Sequence, residues 1–150
     1  MVSASLLDVN VLIASVDVEH VAHKTVHAWL RESAGRHWAT CPLTQAGFVR
    51  IISNRRFHEQ AVSVAEAFEL LTAITQRPGH RFWPMDISLP EAVQPFQERL
   101  FGHRQVTDAY LLGLAIRNKG RVVTLDRGIE ALAGEGYRQH VRLLEGWEKA

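Results

Sequence analysis

Cysteine is nearly absent from this chain and long apolar runs are absent. The first absence limits the covalent and metal sites that the chain can form, and the second argues against a membrane segment. The 150 residues contain one cysteine, Cys41, which excludes an intramolecular disulfide and a zinc cage of several thiolates. We expect Cys41 to be a small buried side chain rather than a nucleophile. No apolar stretch approaches the roughly 20 residues that span a bilayer, and the first residues do not resemble a signal peptide. We therefore expect a cytoplasmic protein without a membrane segment.

The charge balance gives no bulk signal for a polyanionic partner. Lys and Arg number 17 against 16 Asp and Glu, for a net charge of +1, so a nucleic-acid site must depend on local clusters of basic residues. The composition is 47% hydrophobic and 22% charged, and no repeat, low-complexity tract or linker divides the sequence. This is typical of one compact domain over residues 1–150 with a substantial core.

Strand-like and helix-like segments alternate along the chain. The predicted strands are 5–8, 37–41, 81–84, 121–125 and 140–144. The predicted helices are 9–16, 20–31, 42–52, 64–74, 90–100, 108–118 and 128–132, and we expect Gly35 to close the second of them. Such alternation predicts an α/β fold with a parallel sheet covered by helices on both faces.

Three aspartates lie where a predicted strand or helix meets a loop. Asp8 follows the first strand, Asp126 follows the fourth, and Asp108 opens the apolar helix DAYLLGLAIR. In open parallel sheets, ligands bind beyond the carboxyl ends of the strands, so we expect these carboxylates to gather at one edge. Hard cations such as Mg2+ take oxygen ligands of this kind, together with waters and substrate phosphates. The sequence therefore predicts a cation site for phosphodiester chemistry.

Each acid also has an ordinary structural interpretation. Asp108 alone would be an acid in the first turn of a helix capped by Thr107, and Asp126 alone would be a turn former before Gly128. Asp8 is harder to explain in this way, because a buried carboxylate needs a hydrogen-bond or metal partner. The joint occurrence of all three favours the metal site.

Histidines and tryptophans offer further hypotheses. His20, His23 and His27 are spaced along one helix as zinc ligands would be, but no acidic or thiolate partner lies nearby, so a solvated helix face is favoured. Trp38 and Trp83 lie in predicted strands, and we expect them in the core rather than as platforms for stacked bases.

Three segments together resemble a known family. LLDVNVLIA, PLTQAGFVRIISN and HRQVTDAYLLGLAIRNKGRVVTLDRG look like the PIN-domain ribonucleases and, more narrowly, the VapC-type toxins of bacterial toxin–antitoxin pairs. The resemblance covers nearly the whole chain in the right order. It implies a PIN-like αβα sandwich around a central parallel sheet of four or five short strands. It also implies Mg2+- or Mn2+-dependent endonucleolytic cleavage of RNA, inhibited by a cognate antitoxin.

The resemblance carries over to individual residues. Asp8, Asp108 and Asp126 match acids of the family's site, where a cation polarises the scissile phosphate and activates a water molecule. Asn10 matches the asparagine two positions after the first acid, and we expect it to hold that carboxylate in place.

Polar and basic neighbours of the later acids have a choice of roles. Thr107 and Thr124 would orient a carboxylate or a bound water; a helix cap and a half-buried strand position are the respective alternatives. Arg104 and Arg127 adjoin acids, so phosphate contacts and structural ion pairs are both reasonable interpretations. Phosphate contacts would position RNA without selecting its sequence.

One position departs from the family's pattern. Many members have a glutamate in the helix after the second strand, where Gln45 stands here. Its carbonyl oxygen can bind a cation or water, but the amide adds no charge and cannot act as a base. The alternative is a polar residue that merely caps the helix start. With three carboxylates instead of four, we expect one well-held cation in the free protein.

Two other functions stay open on sequence alone. The first is a PIN-like module that binds RNA or an antitoxin and has lost catalysis through Gln45. The second is a phosphotransfer enzyme or receiver, which also has an aspartate after its first strand. The second is disfavoured because Asn10 stands where another aspartate is needed, and because that turn has no glycine loop to cradle phosphate.

Partner surfaces are expected between the early helices. Residues 14–29 and 48–52 hold more apolar side chains than one small core needs. We therefore expect a groove there for an amphipathic segment of the antitoxin. A homodimer would use the same kind of surface.

Overall fold

A five-stranded parallel sheet forms the centre of the protein. The computed structural model describes residues 4–32 and 37–149. The strands are β1 (Ser5–Leu7), β2 (Trp38–Thr40), β3 (His80–Phe82), β4 (Arg121–Thr124) and β5 (Val141–Leu143). They are ordered β3-β2-β1-β4-β5, and every neighbouring pair is parallel. The predicted α/β class and parallel sheet are confirmed.

Helices connect the strands and cover the sheet. They are α1 (Val9–Val16), α2 (His23–Arg31), α3 (Pro42–Ile52), α4 (Val64–Thr75), α5 (Leu89–Val93), α6 (Val106–Arg117) and α7 (Arg127–Ala133). Within the described part of the chain, none of them is long and apolar enough to cross a membrane.

The core lies on both faces of the sheet because successive strand residues point to opposite sides. Leu7 packs with side chains of α1 to α4 on one face. Leu6 packs on the other face with Leu111 and Leu114 of α6. A sheet covered on both faces needs buried strands. The three central strands β1, β2 and β4 are buried except at Arg121, whereas the edge strands β3 and β5 are partly exposed.

Three side chains expected in the core are found there. Trp38, Trp83 and Cys41 are 5%, 6% and 0% exposed. At this burial the two indoles are unavailable as platforms for stacked bases, and the thiol is a small apolar filler.

Some boundaries differ from the predicted ones for identifiable reasons. The helix predicted over 90–100 is α5 followed by a 3-10 helix, Gln94–Arg99, because Pro95 has no N–H to continue the α-helical bonds. The helix predicted from residue 20 begins at His23, after two turns. The predicted closure of that helix by Gly35 lies outside the described residues.

Helices α5 and α6 approach each other closely at Gly113. A Cβ at this position would overlap the backbone carbonyl of Ala92. We expect Gly113→Ala to lower the free energy of unfolding by about 2 kcal/mol, because overpacking against a fixed backbone outweighs the better helix propensity of alanine. Urea denaturation measures the change. Gly136→Ala is the control, since its Cβ would meet nothing within 4 Å; equal losses in both variants would refute the close packing.

Candidate active site

The topology brings two of the predicted acids to one edge of the sheet. β1 pairs with β4 so that Leu7 is opposite Val123. The backbone N–H of Asp8 donates to the Val123 carbonyl at 2.9 Å, which extends the pairing by one residue. Asp126 follows β4 at the same edge, two residues after Thr124.

Asp8 is nearly buried, and both of its carboxylate oxygens accept hydrogen bonds. It is 8% exposed. The backbone N–H of Val9 donates to Oδ1 at 2.8 Å, where α1 begins, and the Thr124 hydroxyl donates to Oδ2 at 2.7 Å. Burial raises the pKa of Asp8, the bonds from Thr124 and Val9 oppose that rise, and the charge of Asp126 adds to it. The orientation of this carboxylate is therefore fixed by the fold.

Thr124 connects two of the acids. Its fully buried hydroxyl donates to Asp8 and accepts from the backbone N–H of Asp126 at 3.0 Å. Asp126 is exposed and caps α7, with its Oδ1 accepting from the Gly128 N–H at 2.9 Å. The ordinary interpretation of Asp126 as a turn former thus holds in the structure, whatever else this carboxylate does.

The two hydrogen bonds of the Thr124 hydroxyl predict an effect on the stability of the protein. Thr124→Val keeps the shape of the side chain but removes the donor to Asp8 and the acceptor for Asp126. We expect a loss of about 1–3 kcal/mol in the free energy of unfolding, because a buried carboxylate oxygen is left without its partner. Thr124→Ser keeps the hydroxyl and should recover at least half of that loss. If valine and serine behave alike in urea denaturation, the hydroxyl does not hold the acids.

Asp108 lies in the first turn of α6 and is partly buried. Burial raises its pKa to about 7, and the charges of Asp8 and Asp126 add to the rise. Leu111 and Leu112, which share its helix face, are fully buried, so this face points inward as predicted. The structure therefore brings Asp108 within electrostatic range of both other acids.

Thr107 does not have the place predicted for it. The residue before α6 is Gln105, at the end of a 3-10 turn (His103–Gln105) that runs directly into the helix. The prediction of Thr107 as helix cap is therefore wrong. Thr107 is exposed and borders an apolar cavity of about 370 Å³ with Ile87 and Tyr110. Its predicted action on a carboxylate or a bound water stays a prediction.

Asn10 stabilises the acidic edge, the edge of the sheet at which Asp8, Asp108 and Asp126 lie, through a backbone group rather than through one of these acids. Its Oδ1 accepts from the backbone N–H of Leu125 at 3.3 Å, which ties α1 to the segment after β4. The hydrogen bonds that hold Asp8 come from Val9 and Thr124. Asn10 thus braces the two segments that carry Asp8 and Asp126, and its predicted role in holding the Asp8 carboxylate in place stays a prediction.

Gln45 lies at the same edge of the sheet, beside β2. It is the fourth residue of α3, which approaches α1 so closely that a Cβ on Gly47 would come within 2.7 Å of Val9 Cγ2. The amide nitrogen of Gln45 donates to the Thr40 hydroxyl at 3.0 Å. The helix cap is Cys41, so the alternative that Gln45 caps the helix start is wrong.

The two predicted RNA-contacting arginines are exposed. Arg104 lies in the 3-10 turn before α6. Arg127 opens α7 and lies 4.0 Å from Glu148 in an ion pair whose partners are 68% and 43% exposed. Exposed pairs of this kind are weak and exchange readily, so Arg127 is available to a phosphate. RNA contact by either residue stays a prediction.

The histidines of α2 have a structural use that the sequence did not reveal. His23 Nδ1 donates to the Ala14 carbonyl at 2.7 Å, and His27 Nε2 donates to the Ser15 carbonyl at 2.8 Å. Carbonyls in the last turn of a helix have no partner within the helix, and here the two rings supply one. The zinc hypothesis is not supported: no group of three His, Cys, Asp or Glu in the described ranges is placed to hold a metal.

The apolar residues of the predicted partner groove divide into buried and exposed ones. Val26, Trp29, Phe48 and Ile52 are 4% exposed or less and belong to the core. Val18 and Val21 of the predicted range 14–29 are 72% and 50% exposed, and Val16, Val18 and Ile52 line a cavity of about 280 Å³. Antitoxin binding in this region stays a prediction.

The acidic edge has the donor chemistry of a hard-cation site. Its groups are carboxylate oxygens, and none of the ion pairs formed within residues 4–32 and 37–149 includes Asp8, Asp108 or Asp126. Unpaired carboxylates at close range repel one another until a proton or a cation neutralises them. No group of three His, Cys, Asp or Glu in the described ranges is placed to hold a metal by itself, so a cation at this edge would take most of its ligands from water and substrate, as Mg2+ does.

A family comparison matches most of the chain. The sequence model of the PIN domain matches residues 5–135, a range that contains the three acids and Gln45. The match ends before the last strand, so the extension of one PIN domain over all 150 residues stays a prediction.

Ribonucleases of Mycobacterium tuberculosis are similar over nearly the full length. Ribonuclease VapC44 is 43% identical over 141 residues, covering 93% of this chain and 99% of the relative. Ribonuclease VapC38 is 42% identical over 140 residues, covering 93% and 97%, and ribonuclease VapC39 is 41% identical over 132 residues, covering 88% and 95%. The chain therefore belongs to the PIN-domain family, and its relatives within that family are VapC ribonucleases.

Proposed function

We propose that this protein is a metal-dependent endoribonuclease that acts as the toxin of a type II toxin–antitoxin pair. The relatives named above are ribonucleases. The observation that carries the proposal for this chain is the environment of Asp108, whose pKa is raised to about 7 by burial and by the charges of Asp8 and Asp126. Acids with raised pKa values that lie close together are typical of functional sites.

Asp8 and Asp108 are the proposed ligands of Mg2+ or Mn2+, with Asp126 acting directly or through water. A bound cation supplies positive charge to the scissile phosphate and makes water a better nucleophile at neutral pH. The chain's own contribution is orientation: Val9 and Thr124 fix the Asp8 carboxylate before RNA arrives. Held groups of this kind need no reorganisation during the reaction.

RNA is the proposed substrate, and Arg104 and Arg127 are proposed contacts for its phosphates. Both are exposed and adjoin segments that carry acids. A cognate antitoxin and a second copy of the chain are proposed partners, with Val18 and Val21, which are 72% and 50% exposed, as apolar contacts. An RNA-cleaving toxin of this kind would act in the cytoplasm.

Cleavage of structured RNA tests the proposal. The purified protein is incubated with transfer RNA in Mn2+, in excess EDTA, and in EDTA followed by excess Mn2+. We expect discrete fragments in the first and third reactions and none in the second, without 2′,3′-cyclic phosphate ends, because water and not the RNA 2′-hydroxyl is the proposed nucleophile. RNA binding without cleavage in any reaction would support the alternative of a PIN-like module that has lost catalysis.

A further inference from the structure

The side chain of Gln45 is bonded to Thr40, and Thr40 is bonded in turn to His80 of the neighbouring strand. Its Nε2 donates to Thr40 Oγ1 at 3.0 Å, and the same oxygen lies 2.7 Å from His80 Nε2. Thr40 ends β2 and is fully buried. His80 begins β3, and its ring packs against Trp38 at a centroid distance of 4.9 Å. Gln45, Thr40 and His80 thus form a continuous hydrogen-bonded chain.

Which group donates in each of these hydrogen bonds follows from the number of protons that the three side chains carry. A hydroxyl has one proton and two acceptor lone pairs, so Thr40 can donate in only one of these two bonds. Burial and the charge of Arg81 lower the pKa of His80, against an opposing hydrogen bond to the backbone of Thr75. The neutral ring has one N–H, and we assign it to the ring nitrogen that does not face Thr40, where the Thr75 backbone favours a proton.

The other ring nitrogen, Nε2, is then an acceptor. Thr40 must donate its proton to His80, and its oxygen is left to accept from Gln45. An amide that turns its nitrogen to Thr40 has its carbonyl oxygen on the opposite side. The reverse arrangement, with the Gln45 oxygen on Thr40, would require a proton on His80 Nε2.

We propose that Thr40 and His80 are positioning residues that keep the carbonyl oxygen of Gln45 free at the edge of the sheet that carries Asp8. The inference rests on the proposed function, since the oxygen matters there as a ligand. Glutamine carbonyls bind hard cations, whereas an outward NH2 group repels them. The hydrogen bonds from Gln45 through Thr40 to His80, which we call the relay, thus make the neutral side chain of Gln45 an oxygen ligand at the position where many family members have a carboxylate.

The tautomer of His80 is the first test, and it needs no metal. Nitrogen-15 spectra of histidine-labelled protein distinguish Nδ1–H from Nε2–H rings, and the loss of one ring's signals in His80→Asn assigns them. We expect His80 in the Nδ1–H form at pH 7.5. An Nε2–H ring would overturn the proposal, whatever the protein does to RNA.

Manganese affinity without RNA is the second test, measured calorimetrically. We expect Thr40→Val to weaken Mn2+ binding about 5- to 10-fold, the effect of losing one oriented hydrogen bond, and Thr40→Ser to stay within about twofold. In the Gln45→Glu background both side-chain oxygens can bind, so Thr40→Val should cost less than about twofold. His80→Leu removes the acceptor and should repeat the loss; it replaces Thr40→Val if that variant does not fold.

The outcomes separate the relay from the proposed function. Wild-type protein that binds no Mn2+ would refute both the metal site and the relay. Normal binding that is insensitive to Thr40→Val and His80→Leu would refute the relay alone. A loss of the same size in the Gln45→Glu background would also refute it, because Thr40 would then act through general stability instead of amide orientation.

Discussion

Replacing Asp8 with asparagine is expected to lower the rate of RNA cleavage in Mn2+ by about 10²- to 10³-fold. The substitution keeps the size of the side chain but removes the negative charge at a site that is 8% exposed. Charges in such a poorly solvated position act more strongly than in water. The amide also has one oxygen in place of two, so it cannot accept from both the Val9 N–H and the Thr124 hydroxyl, and the orientation of the group is disturbed as well.

The control for this prediction is Asp86→Asn. Asp86 is exposed and pairs with Arg117 at 2.8 Å, and it does not belong to the acidic edge. Its variant should cleave RNA within about twofold of wild type, because exposed ion pairs contribute little. Initial rates on one RNA at saturating Mn2+ measure both. An Asp8→Asn protein that retains more than a tenth of the wild-type rate would show that this carboxylate does not hold the reacting groups.

Replacing Asp108 with asparagine is expected to stabilise the metal-free protein at pH 8. The folded-state pKa of about 7 lies above the ordinary value of 3.8, so the folded protein binds this proton more tightly than the unfolded chain does. The ionised acid therefore destabilises the fold as pH rises from 3.8 to about 7. The full difference corresponds to about 4 kcal/mol. Solvent screening at this partly exposed position reduces our expectation to about 2 kcal/mol.

Thermal unfolding in EDTA at pH 8 and pH 5 measures this effect. A gain of about 2 kcal/mol raises the melting temperature by roughly 4–8 °C in a protein of this size, and the gain should be clearly smaller at pH 5, where less of the acid's penalty has developed. Asp86→Asn provides a control of opposite sign, because the hydrogen bond and charge of Arg117 lower the pKa of Asp86. An Asp108→Asn protein that is no more stable than wild type at pH 8 would contradict the crowding of the acids.

The position of the acids at one edge followed from the sequence because topology alone fixes it. Parallel strands place their carboxyl ends together, so residues directly after two apolar strands must be neighbours if the strands pair. Asp8 and Asp126 met that condition, and the helical spacing of Leu111 and Leu112 predicted the inward face that carries Asp108.

The contacts that hold these groups could not be predicted, because they join distant parts of the chain. Gln45 stood out against the family's pattern, but its connection to His80 crosses from α3 through β2 to β3. The bonds from His23 and His27 to carbonyls of α1 depend on the angle between two helices. A spacing of three and four residues says only that the rings share a face.

Local rules failed where a neighbouring element overrode them. Thr107 has the residue type of a helix cap, yet a 3-10 turn ahead of α6 leaves Gln105 in that position. Apolar residues of 14–29 and 48–52 seemed surplus to a small core, but the helices that cover the sheet bury Val26, Trp29 and Phe48 in it. Val18 and Val21 stay exposed. Sequence patterns give the type of an element more reliably than the partner that covers it.

Manganese anomalous diffraction tests the central claim most directly. Crystals of the wild-type protein grown with Mn2+ and measured near the manganese absorption edge locate the ion independently of any assumption about its ligands. We predict a peak at the carboxyl edge of the sheet, in contact with Asp8 and Asp108 and within reach of the Gln45 oxygen, and no such peak in Asp8→Asn crystals. A manganese peak elsewhere in the protein, or one at this edge that persists in Asp8→Asn, would contradict the account.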